Sequence, residues 1–167
     1  MILLDPNVLV YALNEDAPQH EASRALVERA LAGRVPAALV PQVLVEAFAI
    51  LTDPRRIERP LGPSEAWAAL TPARLALPVL PLDGRALEEV ADLLVERPTA
   101  GQGVFDVLLV AQMRAHGLAA VCTYNVQDFE GFAELLVEPP ERVLARRWAG
   151  RGLRARGPGR PAPPRRA

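Results

Sequence analysis

The chain has 167 residues, of which 50% are hydrophobic, and a formal net charge of −1. This size and composition fit one domain with a sizeable core. No apolar run reaches the roughly 18 residues of a membrane span, and the N-terminal segment has Asp5 where a signal peptide needs positive charge. We therefore expect a soluble cytoplasmic protein. The single cysteine, Cys122, lies in the apolar run AAVCT, which is typical of a small buried hydrophobe in a reducing compartment.

Short apolar runs alternate with helical patterns from the N-terminus onward. The apolar runs predict buried strands at 2–5, 37–40, 78–82 and 119–123, with a possible fifth at 134–138. The helical patterns predict helices at 6–14, 18–32, 41–52, 63–74, 83–97 and 104–116. This alternation indicates βαβ units with right-handed crossovers. The predicted fold is a three-layer α/β/α domain over residues 1–149, with a central parallel sheet of four to five strands.

The last part of the chain differs from the rest in charge and composition. Residues 1–149 hold all 20 acidic residues and 13 of the 19 arginines, so their net charge is −7. Residues 150–167 carry six arginines, no acid, and mostly Pro, Gly and Ala between them. Such a segment has little to bury, and we expect it to be a disordered tail. It either contacts RNA phosphates or is a solvated extension with no defined role.

Four carboxylates stand where the topology of a parallel sheet brings side chains together. Asp5 follows the first predicted strand, and Glu46 lies in the second turn of the helix after the second strand. Asp106 opens the helix that leads into the strand ending at Thr123, and Asp128 follows that strand. Ligands bind at the carboxyl ends of strands in open α/β sheets. The sequence therefore predicts that these acids meet at one sheet edge.

Glu46 is the least easily explained of the four. It stands in the apolar helix PQVLVEAFAIL and shares a face only with the polar residue Gln42, four positions earlier. Burying an unpaired carboxylate costs several kcal/mol. An ion pair with Arg55 or Arg56 is the structural alternative to a functional role.

The other three acids have simpler explanations when each is taken alone. Asp5 before a proline is a natural N-cap, Asp106 suits a helix N-terminus, and Asp128 suits an Asx turn. Gathered together, however, the carboxylates repel one another, so they require a positive charge among them. An all-oxygen set favours Mg²⁺ or Mn²⁺ over zinc, because no His or Cys stands at ligand spacing. His20 and His116 are interpreted as surface and helix-terminal residues.

Four segments, LLDPNVLVYA, PQVLVEAF, VFDVLLVAQM and CTYNVQDF, occur in this order over about residues 1–140. Together they resemble the PIN domain, and in particular the VapC-type toxin ribonucleases of bacterial toxin–antitoxin pairs. The acidic quartet of that family falls on Asp5, Glu46, Asp106 and Asp128, and its supporting polar positions fall on Asn7, Thr123 and Asn125. The resemblance says nothing about the arginine-rich tail.

The resemblance implies a divalent-metal-dependent endoribonuclease that hydrolyses RNA phosphodiester bonds with a metal-activated water, the metal being Mg²⁺ or, as a substitute, Mn²⁺. It implies that Asp5 and Asp106 are metal ligands and that Glu46 is a ligand or orients the attacking water. Asp128 is expected to be a second-metal or outer-shell ligand. Thr123 and Asn125 are expected to hold water or phosphate. A 5′-phosphate product is expected, since a 2′-hydroxyl mechanism needs a pair of histidines near the motifs.

The partners implied by the resemblance are an RNA substrate, a cognate small antitoxin protein and a second copy of the chain in a homodimer. The apolar face of PSEAWAALTPARL, with Trp67 and Leu70, is either a partner surface or part of the core. A non-catalytic RNA- or protein-binding module with the same fold is the alternative function. Receiver domains and HAD-type phosphatases are disfavoured, because each needs a lysine and this chain has none.

Overall fold

The computed structural model describes residues 1–148, so the predicted tail at 150–167 lies outside the described residues. Within the described part, four strands form one parallel sheet. The strands are β1 (Ile2–Leu4), β2 (Ala37–Ala38), β3 (Ala120–Cys122) and β4 (Leu136–Glu138). The helices are α1 (Pro6–Leu13), α2 (His20–Leu31), α3 (Pro41–Leu51), α4 (Pro63–Ala76), α5 (Gly84–Glu96), α6 (Val104–Ala115) and α7 (Pro140–Ala145). Two 3₁₀ turns, Gly101–Gly103 and Val126–Phe129, precede α6 and follow β3.

The strand order, β2-β1-β3-β4, positions the site. From β1 the chain passes to β2 on one side, and it later adds β3 and β4 on the other side of β1. Such a reversal opens a crevice at the carboxyl ends of β1 and β3. Right-handed crossovers that run in opposite directions place their helices on opposite faces of the sheet. Among the helices, α1 packs against α2 and α3, and α5 packs against α6. The predicted three-layer α/β/α fold with a parallel sheet is confirmed.

Residues 78–82 do not form the predicted strand. A single parallel bridge pairs Val79 with Leu39, just beyond the end of β2. The backbone N–H of Leu39 donates to the carbonyl oxygen of Pro78 at 2.9 Å. Pro78 has no N–H to donate on one side of the bridge, and Pro41 has none to donate to Leu80 on the other, so the ladder does not extend along this segment. The sheet of the described residues therefore has four strands.

The helix ends follow their capping signals in most cases. The Asp83 side chain accepts the backbone N–H of Ala86 at 3.1 Å and caps α5. Gly33 follows α2 with φ 67°, in the left-handed region that favours glycine. The predicted helix at 18–32 begins only at His20, because the residues before it form turns.

The core runs along the sheet and under the helices. All three residues of β1 are buried, and Cys122 on β3 is fully buried as expected. Burial in this apolar setting raises the pKa of the Cys122 thiol far above its usual range. The sequence did not predict α7, which packs against α2 and buries Val143. No helix of residues 1–148 combines the length and hydrophobicity required to cross a membrane.

Candidate active site

The carboxyl ends of β1 and β3 open into a cleft of about 270 Å³. Its lining includes three of the four predicted acids and two of the predicted polar residues, namely Asp5, Glu46, Asp106, Asn7 and Asn125. These residues come from the end of β1, from α1, α3 and α6, and from the loop after β3. The topology therefore brings together acids that are up to a hundred positions apart in sequence.

Asp5 directly follows β1 and caps α1. Its carboxylate accepts the backbone N–H of Asn7 at 2.9 Å, and its own N–H donates to the Cys122 carbonyl at 3.0 Å. The capping role is thus real, and it holds the side chain in place with only 8% of the residue exposed. Burial, together with the nearby Glu46 and Asp106 carboxylates, raises the pKa of Asp5 from 3.8 to about 7. A proton or a cation at this position is therefore favourable near neutral pH.

Asn7 and Thr123 tie the two strand ends together. The Asn7 Nδ2 donates to the Thr123 hydroxyl oxygen at 2.9 Å. That oxygen also accepts the backbone N–H of Asn125 at 3.0 Å. Thr123 is fully buried, whereas Asn125 is exposed at the cleft. This bonding fixes the loop after β3 relative to Asp5, while the role of Thr123 and Asn125 toward water or phosphate stays a prediction.

Glu46 is half-buried on α3, and its Oε1 accepts the side-chain N–H of Gln42 at 2.7 Å. The predicted pairing of these two residues on one helix face is confirmed. The alternative of an ion pair is not: Arg55 binds Asp53 at 2.9 Å, and Arg56 lines the cleft without an ion pair among the described residues. Glu46 therefore has no ion-pair partner among the described residues.

Asp106 and Asp128 approach each other at the other side of the cleft. Asp106 lies in the first turn of α6 and is half-buried. Burial raises its pKa, and the charges of Asp128 and Glu46 raise it further. Asp128 lies on the exposed 3₁₀ turn after β3 and is not part of the cleft lining. It is close enough to act on Asp106 electrostatically and more peripheral than the other three acids.

The cleft suits a hard divalent cation by the chemistry of its donors. Carboxylates of Asp5, Glu46 and Asp106 and the amide of Asn7 offer oxygen ligands only, which is the set that Mg²⁺ and Mn²⁺ prefer. Within residues 1–148, no three acidic, histidine or cysteine side chains are placed closely enough to enclose an ion by themselves. Mg²⁺ does not require such a cage, because it is usually held by one or two carboxylates and keeps several waters.

The two histidines lie away from this cleft. His20 is buried, and its Nδ1 lies 2.9 Å from the Tyr11 carbonyl oxygen. The prediction of a surface position for His20 is wrong, because the first turn of α2 packs against α1. His20 lines a separate groove of about 370 Å³ between α1, α2 and α4. His116 follows α6 at its C-cap, as predicted, with Nε2 2.8 Å from the Pro81 carbonyl oxygen.

One buried polar residue near the site was not predicted. Gln112 on α6 is fully buried, and its Nε2 donates to Oε1 of Gln42 at 2.9 Å. The available signal was an amide in the apolar run VFDVLLVAQM, six residues after Asp106. Its partner lies 70 positions away, and local periodicity cannot identify such a contact.

The family model of the PIN domain matches residues 2–135. The chain belongs to the PIN domain family. The resemblance found in the four sequence segments is thereby confirmed. Ribonuclease VapC24 of Mycobacterium tuberculosis is 33% identical to this PIN domain chain over 133 residues, which cover 79% of this chain and 91% of VapC24.

Solved structures share the fold at lower identity. Mycobacterium tuberculosis VapC20, described as a toxin that cleaves the sarcin-ricin loop, aligns with a TM-score of 0.60 at 20% identity, over 79% of this chain and 95% of that one. A toxin–antitoxin complex from Klebsiella pneumoniae aligns with a TM-score of 0.56 at 16% identity, over 81% of this chain and 96% of that one. At these identities the likeness shows the PIN fold.

Proposed function

We propose that this PIN domain is a divalent-metal-dependent endoribonuclease of the VapC type that hydrolyses RNA phosphodiester bonds. The observation that carries the proposal is Asp5, a buried carboxylate whose pKa is raised to about 7 by burial and by two neighbouring acids. Capping α1 explains one hydrogen bond of Asp5 but not the two acids beside it, whereas a cation would offset the repulsion among the three carboxylates. The similarity to ribonuclease VapC24 over most of both chains supports the same conclusion.

Each acid has a defined part in this proposal. Asp5 and Asp106 hold the ion, and Glu46 holds it or orients the attacking water. Asp128 supports the ion from the outer side. The bound ion supplies a water of lowered pKa and neutralises charge on the leaving oxygen. Asn125, exposed at the cleft, contacts a phosphate or a water.

Arg56 is the arginine best placed to meet the RNA backbone. It lines the cleft and is exposed, whereas its neighbours Arg55 and Arg59 are bound to Asp53 and Asp16 at 2.9 Å and 2.6 Å. Since the body of the chain is acidic, an unengaged guanidinium beside the cleft is a local attraction for phosphate.

The test is cleavage of total bacterial RNA by the purified full-length chain in Mg²⁺. We expect products with 5′-phosphate ends and loss of cleavage in excess EDTA. Asp5→Asn should reduce the rate by more than the roughly 10–100-fold that removal of an outer-shell partner costs. Asp53→Asn, which alters a half-buried acid outside the cleft, is the matched control and should cleave like the wild type. Cleavage that persists in EDTA, or ends carrying a 2′,3′-cyclic phosphate, would contradict the proposal.

As a toxin of a type II pair, the protein acts on cellular RNA in the cytoplasm, and a small cognate antitoxin protein silences it. The apolar groove of about 370 Å³ between α1, α2 and α4 suits a segment of such a partner. For a homodimer, α3 and α4 offer the surface. Trp67 is 44% exposed and packs edge-to-face on Phe48, and Val45 is 60% exposed. Leu70 belongs to the core, with 2% exposure.

The second function, a non-catalytic RNA- or protein-binding module, is disfavoured because holding three carboxylates together in the cleft destabilises the folded protein. A binding module without a cation gains nothing from the mutual repulsion of Asp5, Glu46 and Asp106. The variant Asp5→Asn separates the two functions, because it removes cleavage in an enzyme and leaves RNA binding intact in a module.

A further inference from the structure

A chain of side-chain amides leads from the core of α6 to the acidic cleft. Gln112 is fully buried, and its Nε2 donates both to Gln42 Oε1 at 2.9 Å and to the Leu108 carbonyl at 3.3 Å. Its own Oε1 is buried with no partner among the described residues. A buried amide with an unpaired oxygen lowers stability, so packing does not explain why an amide stands at this position.

Gln42 accepts that hydrogen bond through Oε1 and donates two others through Nε2. One side-chain N–H donates to Glu46 Oε1 at 2.7 Å, and the other donates to the Phe105 carbonyl at 2.8 Å. The first bond holds an acid of the cleft. The second holds the residue before Asp106, and with it the first turn of α6. One amide thus connects Glu46 on α3 to the backbone beside Asp106 on α6.

The orientation of the Gln42 amide is fixed by the groups that accept its hydrogen bonds. Glu46 Oε1 and the Phe105 carbonyl both need a donor, so the Gln42 amide must present its nitrogen to them. Its oxygen then needs a donor in turn, and Gln112 supplies one. Without that donor, no described group fixes the Gln42 oxygen, and the amide becomes free to rotate away from Glu46 and the Phe105 carbonyl. The opposite orientation cannot take its place, because it would put an oxygen against the Glu46 carboxylate, which is repulsive.

We infer that Gln112 and Gln42 are positioning residues that fix Glu46 relative to Asp106 in the cleft. The inference rests on the proposed function for its consequence in catalysis, and on geometry for the contact itself. Partners that orient metal ligands in this way typically contribute about 10–100-fold to metal affinity or activity. Gln112 does this from inside the core, without lining the cleft.

The test replaces the donor while keeping the volume, in the variant Gln112→Met of the full chain. We expect Mn²⁺ alone, titrated and followed by water proton relaxation, to bind about 10–100-fold more weakly. The value of kcat for RNA should fall by a similar factor with KM unchanged. In NMR spectra, the side-chain NH₂ protons of Gln42 should exchange with water faster than in the wild type. The melting temperature should not fall in proportion, because an unpaired buried oxygen is removed.

Two further variants separate positioning from packing. Met113→Leu changes the fully buried neighbour of Gln112 with little change of volume, and it should leave Mn²⁺ binding and kcat unchanged. Gln42→Met should lose as much activity as Gln112→Met, and the double variant should lose no more than Gln42→Met alone. Additive losses in the double variant would overturn the inference, as would wild-type Mn²⁺ affinity and kcat in Gln112→Met.

The experiments distinguish a wrong proposed function from a wrong role for Gln112 and Gln42. If the wild type binds no Mn²⁺ and cleaves no RNA, the proposed function fails. The exchange of the Gln42 NH₂ protons still decides the contact in that case. An unchanged exchange rate in Gln112→Met would overturn the inference whatever the activity.

Discussion

Asp5→Asn should stabilise the metal-free protein, although it removes a residue proposed to be essential for activity. The pKa of Asp5 rises from 3.8 to about 7 on folding, chiefly through burial. At about 1.4 kcal/mol per pKa unit, ionising Asp5 in the folded state costs about 4 kcal/mol relative to the unfolded chain. Asparagine carries no charge and can still accept the Asn7 N–H as an N-cap, so most of this cost should be recovered.

The sign of the pH dependence follows from proton uptake. Between pH 3.8 and about 7 the folded state holds a proton on Asp5 that the unfolded state has released. The contribution of Asp5 to the free energy of unfolding therefore falls as the pH rises through this range. This contribution of Asp5 is zero below pH 3.8, where both states are protonated, and it is constant above about pH 7. The difference between Asp5→Asn and the wild type should follow the same course and reach about 4 kcal/mol at pH 8.

The assay is urea denaturation of both proteins in EDTA at several pH values from 2 to 8. Asp53→Asn provides a control of opposite sign. The pKa of Asp53 is lowered to about 2 by its hydrogen bonds with Arg55, so its contribution is present at neutral pH and lost on acidification. Replacing it should reduce stability more at pH 7 than at pH 2. A difference for Asp5→Asn that is independent of pH, or a wild type that is the more stable protein at pH 8 in EDTA, would refute the reasoning.

Two further substitutions have matched controls in the chain. A Cβ added at Gly131 would overlap the guanidinium of Arg97, so Gly131→Ala should displace that side chain from its contact with the Phe132 ring and cost about 1 kcal/mol of unfolding free energy in urea denaturation. Gly84→Ala meets no atom within 4 Å and should be neutral or stabilising, so equal losses would contradict the reasoning. Arg56→Gln should raise KM for RNA with kcat unchanged, because the guanidinium lines the cleft. Arg55→Gln should leave both constants unchanged, since that arginine is engaged in an ion pair, and a larger effect than that of Arg56→Gln would exclude the assigned contact.

Local signals in the sequence determined the elements and their order. Buried apolar runs, prolines at helix starts and glycines at helix ends act over a few residues, and most of them have a counterpart in the structure. The alternation of strands and helices then leaves few topologies, because parallel crossovers are right-handed. Asp5 at the end of β1 and Asp106 at the start of α6 could therefore be placed at one sheet edge without coordinates.

Where local signals compete, the sequence predicted the wrong outcome. Residues 78–82 are as apolar as the true strands, yet Pro78 and, on the facing segment, Pro41 lack the N–H groups that would extend the ladder beyond one bridge. His20 stands in a polar stretch, yet the packing of α2 on α1 buries it. A lack of hydrogen-bond donors decides the first case, and a contact with another helix decides the second.

The tertiary structure alone decided which charges stay unpaired and which amides meet. Arg55 and Arg56 are adjacent and equivalent in the sequence, but only Arg56 lines the cleft. Gln42 and Gln112 lie 70 positions apart and meet because α3 and α6 converge at the end of the sheet. Hydrogen bonds and ion pairs depend on distances of a few tenths of an ångström between such segments. Periodicity in sequence fixes which face a residue occupies, and only the packed fold sets those distances.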